Sequence, residues 1–507
     1  MPVIRMRSTR WRLRCQRRTA TYLCEPEGLR DPEGPKSRLI RRTKIVATLG
    51  PNTREPDVVR SLIETGADVV RLNFAHSTPV VHRRAAETAR QQARELGRTI
   101  GVLVDLPGPK MRTGPIEGEQ VELVQGATMM LTSNPVVGNA NMVSTTVGDL
   151  PGMVRLGDEI YLADGEIVLR VAAIGDDVLT EIVRGGVLRS RKGLHLPRAE
   201  RHVRAFTPED HIALQVALDF KVDLVGLSFV RAANDIRRVR AALPKRGHRP
   251  LVVAKIETAA ALDALDEIVS EADAVMVARG DLGIQMPLER VPFLQKEIIR
   301  TCNKAGIPVI TATQMLESMT HAPLPTRAEV TDVANAVLDG SDALMLSEET
   351  AIGAYPTEVV RVMASIIETA EAAPREHHSP GGLTEREDSV SWAVARAAVQ
   401  AAHDLNVAAI VCPTQSGATA RKVAAFRPHM PVLALSTRAD TLGALTLTWG
   451  TTPLRIEHPI DPSTTIEHAI DLVRTSGLVS AGQLVAIVAG SAGPRAGTTD
   501  FMRIMRC

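Results

Sequence analysis

The chain has 507 residues, with 60 Lys and Arg against 58 Asp and Glu, for a formal net charge of +2. That length exceeds what one core organises, so several domains are expected, and the near-neutral balance gives no reason to expect a nucleic-acid or membrane partner. Five scattered cysteines without metal-ligand spacing, and no apolar run near the ~18 residues of a membrane span, suit a cytoplasmic protein.

Residues 1–38 stand apart. Positions 5–18 hold seven arginines and no acid. With no apolar core region this is not a secretory signal. An Arg-rich, acid-poor start fits an organellar presequence, but a disordered extension is the preferred reading, with the Pro/Gly/Glu-rich stretch 25–36 as a linker. Arginine outnumbers lysine about fivefold across the chain, which reflects base composition more than function.

From Arg42 apolar strands alternate with helices. Lys44–Leu49 is a strand, 57–65 a helix stopped by Gly66, Val69–Phe74 a strand, 79–96 a helix and Thr99–Asp105 a third strand. Over 115–190 the rhythm changes to short Val/Leu-rich strands with frequent Gly, Asn and Asp turns, an inserted β-domain. Alternation resumes with helix 208–219 and strand Asp223–Phe229. It continues through strands 251–256, 274–278, Pro308–Thr313 and Asp342–Ser347, separated by helices 233–243, 259–272, 291–305 and 326–338, and ends with helix 356–372. Eight strands and eight helices predict a (β/α)8 barrel. After a linker at 374–387, a helix at 388–404 and strands near 408–412, 432–436, 453–456, 484–489 and 501–505 predict a C-terminal α/β domain with an open sheet. The expected domains are therefore the extension 1–38, the barrel over 39–109 and 204–373, the β insert 110–203 as a lid, and a regulatory domain 374–507.

The chemistry-bearing residues collect where strands end. Val252–Thr258 carries Lys255 and Glu257, and Val275–Leu282 carries Arg279 and Asp281. Packing alone does not place a lysine and two carboxylates in buried strands. At the C-terminal mouth of a parallel barrel such charges serve a divalent cation and an anionic substrate. Arg71, Asn73, His76, Asp105, Ser228, Arg231, Thr313, Gln314, Ser347 and Glu349 fall at the ends of other strands.

These motifs resemble the pyruvate kinase family over roughly 39–507. The resemblance runs through Thr43–Pro51, Arg71–Phe74, Gly108–Arg112, Lys192–Pro197, Ala254–Glu257, Ala278–Gly283, Ile310–Met319 and Pro325–Ala336. It implies phosphoryl transfer from phosphoenolpyruvate to ADP, giving pyruvate and ATP in the last step of glycolysis. It implies Glu257 and Asp281 as ligands of Mg2+ or Mn2+, and Lys255 as the charge on the moving phosphoryl group. Arg71 and Arg112 would contact phosphates, and Thr313 would act through water in protonating the enolate. The backbone of Ala278, Arg279, Gly280 and Asp281 would hold the carboxylate, while Asn73, His76, Arg112 and the lid residue Lys192 would face the nucleotide. A homotetramer is the family expectation. The alternative is a catalytically silent homologue that binds a phosphometabolite or a partner, but the full catalytic set is present.

The chain departs from the family at the monovalent-cation site, which would include Asn73 and Asp105. Ala75 stands where serine is usual, Leu106 where threonine is, and Lys110 where potassium-dependent members carry glutamate. The three changes agree that potassium is not required, with the Lys110 ammonium in its place. Glu348, where glycine is common, bears on nucleotide preference. In the last domain Thr414, Ser416, Gly417, Thr419 and Arg421 lie where a strand gives way to a helix. Such a turn can hold an anion, although the same residues also make ordinary caps. The family uses it for phosphorylated effectors.

Overall fold

The computed structural model describes residues 41–163, 165–197, 204–245, 247–373, 389–457, 465–475, 477–490 and 499–507. The expected extension 1–38 and linker 374–387 lie outside these residues.

Eight apolar runs form strands β1 (Lys44–Thr48), β2 (Val69–Asn73), β3 (Gly101–Asp105), β4 (Leu224–Leu227), β5 (Leu251–Ile256), β6 (Ala274–Ala278), β7 (Val309–Ala312) and β8 (Ala343–Leu346). They close into a parallel barrel, with β1 paired to both β2 and β8. Their residues are buried on both faces, as the near-continuous apolar sequences require. The helices start where their sequences say they should. Pro56, Pro79, Pro208 and Pro356 occupy first-turn positions. Thr326 and Glu329 cap each other's backbone at the head of Arg327–Leu338.

Period-two alternation decides what fills the barrel. Val69, Leu103 and Val253 point inward and pack with Met276, Ile310 and Met345. Two residues further along the same face come Arg71, Asp105 and Lys255. The interior thus changes from apolar to charged within one pleat, at the strands' C-terminal end.

The opposite end is closed by the C-terminal domain. Leu447, 1% exposed, packs among the inward-facing barrel residues. A Cβ on Gly101 would lie 2.2 Å from Thr446 Oγ1, and one on Gly443 would lie 2.1 Å from Asp223 Oδ1, so two glycines permit this close approach. Lys44 Nζ donates to Thr451 O at 2.8 Å. Arg427 pairs with Asp342 at 3.1 Å and covers the Trp449 ring at 4.9 Å.

The insert leaves the barrel after β3. Its pairing begins at the Arg112–Gly193 bridge and continues in a six-stranded sheet and a two-stranded one. Met129, Leu131, Ile160, Leu169 and Ile182 form its core. It is not purely β: Leu150–Met153 is a helical turn, capped by Asp149 Oδ1 accepting from Gly152 N–H at 3.1 Å. The C-terminal sheet comprises β9 (Ala409–Pro413), β10 (Val432–Ser436), β11 (Thr451–Arg455), β12 (Leu484–Ala489) and β13 (Phe501–Arg506), in the order β11-β10-β9-β12-β13 with β13 antiparallel.

Two expectations need correction. The helix expected over 259–272 breaks at Ala264 (φ −108°, ψ 20°) into Ala259–Asp263 and Leu265–Glu271, and nothing in the sequence marks the break. Strand β6 stops at Ala278, so Asp281 lies in the first turn of a short helix, Arg279–Gln285, rather than at a strand end. A carboxylate is favoured there by the helix dipole. Thr313 Oγ1 accepts from Gly280 N–H at 2.8 Å, satisfying a donor that the first turn would otherwise leave open.

Candidate active site

Asp105, at the end of β3, is the junction of the charged layer. The β2–β3 register sets Asn73 beside Asp105 and Arg71 beside Leu103, so Arg71 reaches over its neighbour. Its Nε donates to Asp105 Oδ2 at 3.1 Å, and its Nη1 donates to Thr48 Oγ1 at 3.1 Å. Gly226 sits alongside, where a Cβ would come within 3.0 Å of Asp105 Oδ1.

Lys255 completes the cluster from β5. Its Nζ lies 3.2 Å from Asp105 Oδ1, 2.8 Å from Glu257 Oε1 and 2.8 Å from Ser228 Oγ. Ser228 donates onward to Leu106 O at 2.9 Å. Glu257 Oε2 accepts from Phe229 N–H at 2.6 Å, and Phe229 holds φ +55° to present it. Glu257 is fully buried, while Arg71 and Lys255 are each 8% exposed.

Burial and charge act against each other here. Burial favours a neutral Asp105, but Lys255 and Arg71 prevail and bring its pKa down to about 2. Burial favours a neutral Lys255, but Asp105, Glu257 and Asp281 prevail and raise its pKa. For Glu257 the balance goes the other way. Burial raises its pKa, Lys255 opposes that, and Asp281 adds to it, so the carboxyl is held above its ordinary range. Glu257 forms an ion pair with one cation where Asp105 pairs with two.

A divalent cation fits this arrangement. Glu257 Oε1 and Asp105 Oδ1 are buried yet accept no well-directed hydrogen bond. Glu257 also faces the like charge of Asp281. Among the described residues no cluster of three or more His, Cys, Asp or Glu forms a complete cage. Two carboxylates, with water and substrate oxygens, match a small hard cation rather than a protein-only site.

Lys110, exposed after β3, is within electrostatic range of this cluster. Burial lowers its pKa, as do Lys255 and Arg112, while Asp105 and Asp281 oppose the shift. His76 is lowered by burial and then by Lys110, Arg112 and Arg71. Asn73 Oδ1 is occupied by Ala75 N–H at 3.1 Å. On the insert, Arg112 Nη1 donates to Arg191 O at 3.1 Å, and Lys192 N–H donates to Thr113 Oγ1 at 3.0 Å. Ala278 ends β6, and the Arg279 side chain turns toward the loop after β7. Glu349 ties the last two loops together, accepting from Ser347 N–H at 2.6 Å and Leu316 N–H at 3.3 Å.

Residues matching the pyruvate kinase barrel domain span 40–360, and those matching the pyruvate kinase alpha/beta domain span 392–505. The chain belongs to the pyruvate kinase family. It is 42% identical to pyruvate kinase 2 of Synechocystis over 473 residues, covering 92% of this chain and 80% of that protein. It is 39% identical to pyruvate kinase of Thermococcus litoralis over 475 residues, covering 92% and 98%. A pyruvate kinase crystal structure from Cryptosporidium parvum superposes with a TM-score of 0.84 at 33% identity, covering 94% of this chain and 98% of that one. The reaction is thus phosphoryl transfer between phosphoenolpyruvate and ADP.

Sequence reasoning missed two parts of this site, Thr48 and the Phe229 N–H, and a residue behind it, Asp332, which grips Arg279 at 2.7 Å. Thr48 reads as an ordinary strand residue. Asp332 falls inside a family motif but on a helix, away from any strand end. Of the residues expected to hold an effector, Ser416 is exposed, and Gly417 is left-handed (φ +78°) with its N–H on Thr414 Oγ1 at 2.9 Å. Arg421 folds back to Ser416 O at 3.2 Å. Thr419 departs from the expectation. Its hydroxyl is buried against Thr499 Oγ1 at 2.9 Å, because the helix turns that face into the domain core.

Proposed function

We propose that this enzyme uses Mg2+ or Mn2+, needs no potassium, and works in cytoplasmic glycolysis as a homotetramer that a phosphorylated metabolite activates. The observation that carries this reading is the buried cluster of Arg71, Asp105, Lys255 and Glu257 at the barrel mouth, with Lys110 and Asp281 within electrostatic range of it. Glu257 and Asp281 would hold the divalent cation, which supplies positive charge to the phosphoryl oxygens. Lys255 neutralises the group in flight as the bond from phosphorus to the enolate oxygen breaks and the ADP oxygen takes its place. Asp105 and Glu257 hold the ammonium on the reaction axis. Arg71 and Arg112 orient phosphates, the Ala278–Asp281 backbone receives the carboxylate, and Asn73, His76 and Lys192 close on the nucleotide. Thr313 orients the water that delivers a proton to the enolate methylene carbon.

Lys110 supports independence from potassium. Asp105 and Asp281 both act on it, and Ala75 and Leu106 offer no side-chain oxygen to a monovalent ion. Turnover in tetramethylammonium buffer is therefore expected to match turnover in potassium chloride at equal ionic strength. Activation by potassium of tenfold or more overturns the reading. Lys110→Glu is expected to lose activity that potassium restores poorly.

For the tetramer, Leu288 (74%), Phe293 (73%) and Leu324 (70%) are exposed apolar side chains on the barrel, and β13 is an edge strand. For the effector, the Thr414–Gly417 turn leaves Ser416 outward beside the Arg421 guanidinium. AMP, ribose 5-phosphate, glucose 6-phosphate and fructose 1,6-bisphosphate are to be titrated at sub-saturating phosphoenolpyruvate, with sedimentation velocity on the same samples. At least one is expected to activate, with the response lost in Ser416→Asp because like charges repel. A response that survives this change, or none to any candidate, removes the site. Monomers throughout remove the tetramer.

A further inference from the structure

Arg279 heads the helix that carries Asp281, and its guanidinium turns toward the loop after β7 and the helix Arg327–Leu338. Nε donates to Ala312 O and Thr313 O, both at 3.2 Å. Nη2 donates to Thr313 O at 2.6 Å and Gln314 O at 3.3 Å. Nη1 is held by both carboxylate oxygens of Asp332, at 2.8 and 2.7 Å. Three successive carbonyls, the last of β7 and the first two of the loop after it, are thus drawn to one cation that is itself fixed from a neighbouring helix.

That loop would not hold its shape unaided. Thr313 and Gln314 are both left-handed, with φ +67° and +54°. Neither is glycine, and a β-branched residue in this region is an outlier that its surroundings must enforce. The shape fixes the Thr313 hydroxyl, which accepts from Gly280 N–H at 2.8 Å and donates to Ala312 O at 2.6 Å.

We propose that Arg279, locked by Asp332, is a positioning residue that clamps the strained Thr313–Gln314 turn and so aims the Thr313 hydroxyl. The inference rests on Thr313 acting at the enolate. In the direction of pyruvate formation the methylene carbon takes a proton from the water that Thr313 orients, the carbon–carbon double bond gives up its electron pair to the new C–H bond, a lone pair on the enolate oxygen closes the ketone, and the hydroxide left behind is reprotonated from solvent. In reverse a methyl C–H bond breaks and the proton returns to water. Phosphoryl transfer precedes this step.

Exchange of pyruvate methyl protons for deuterium in D2O with Mg2+ and ATP, followed by NMR, reads the proton step alone. Asp332→Asn and Arg279→Lys are expected to slow exchange and kcat at least fivefold. The KM for phosphoenolpyruvate should change less than threefold, and the solvent isotope effect on kcat should rise toward that of Thr313→Ala. Asp332 lies outside the mouth, so it decides the matter if the Arg279 variant fails to fold. Loss of exchange in Thr313→Ala with wild-type exchange in Asp332→Asn and Arg279→Lys overturns the clamp alone. Wild-type exchange in Thr313→Ala overturns the role of Thr313 and the clamp with it.

Discussion

Lys255→Met is expected to keep the fold and divalent-cation binding while turnover falls by ~10²–10³, the usual loss for one preorganised charge at a reacting centre. The side chain is nearly the same length, so packing against the barrel wall survives. Its ammonium touches Asp105 at 3.2 Å, Glu257 at 2.8 Å and Ser228 at 2.8 Å, and methionine at this position brings no charge to that spot. Asp105 keeps Arg71 after the change. Glu257 loses its cation, but its carboxyl already sits above the ordinary range and accommodates the loss by taking a proton or a metal ion. Mn2+ binding, measured by water proton relaxation, should stay within about fivefold of wild type. A variant that keeps more than about a third of wild-type turnover would show that Lys255 does not carry the transferred charge.

Why the barrel was legible and parts of its mouth were not follows from what each depends on. The eight strands are apolar runs of four to six residues between helices with clear stops, and their order needs only short-range pattern. The charges at their ends are conspicuous because burial makes them costly, so Lys255 and Glu257 stand out beside Val253. Asp281 looks equally placed in sequence, but which residue ends β6 depends on the turn that Gly280 makes against Thr313, a contact 33 positions away. Arg279 shows the limit most clearly. Beside Asp281 it reads as a residue facing the substrate, and only the position of Asp332 shows where its guanidinium goes. Thr419 fails for a similar reason: a hydroxyl in a cap-like turn can face the ligand or the core, and Thr499, 80 residues on, decides it.

Asp105→Asn is expected to lower stability by about 3 kcal/mol near neutral pH and to abolish most activity, since removing one member of a buried ion cluster strands the others. Asp105 is 3% exposed and serves Arg71 and Lys255 together, so its amide would leave two buried cations with only Glu257 between them. The pH dependence gives a sharper test. The folded carboxyl titrates at about 2, against 3.8 for an unperturbed aspartate. A depressed folded pKa adds stability that is complete above the unfolded value and vanishes as pH falls through the folded one, an amount of roughly 2 kcal/mol here. The gap between wild type and Asp105→Asn should therefore be flat from pH 5 to 8, narrow below pH 4 and shrink by roughly 2 kcal/mol, to about 1 kcal/mol, by pH 2. Urea unfolding at each pH, read at the transition that reports the barrel, measures it. A gap under 1 kcal/mol at pH 7, or one that widens on acidification, would mean that Arg71 and Lys255 do not depend on this carboxylate.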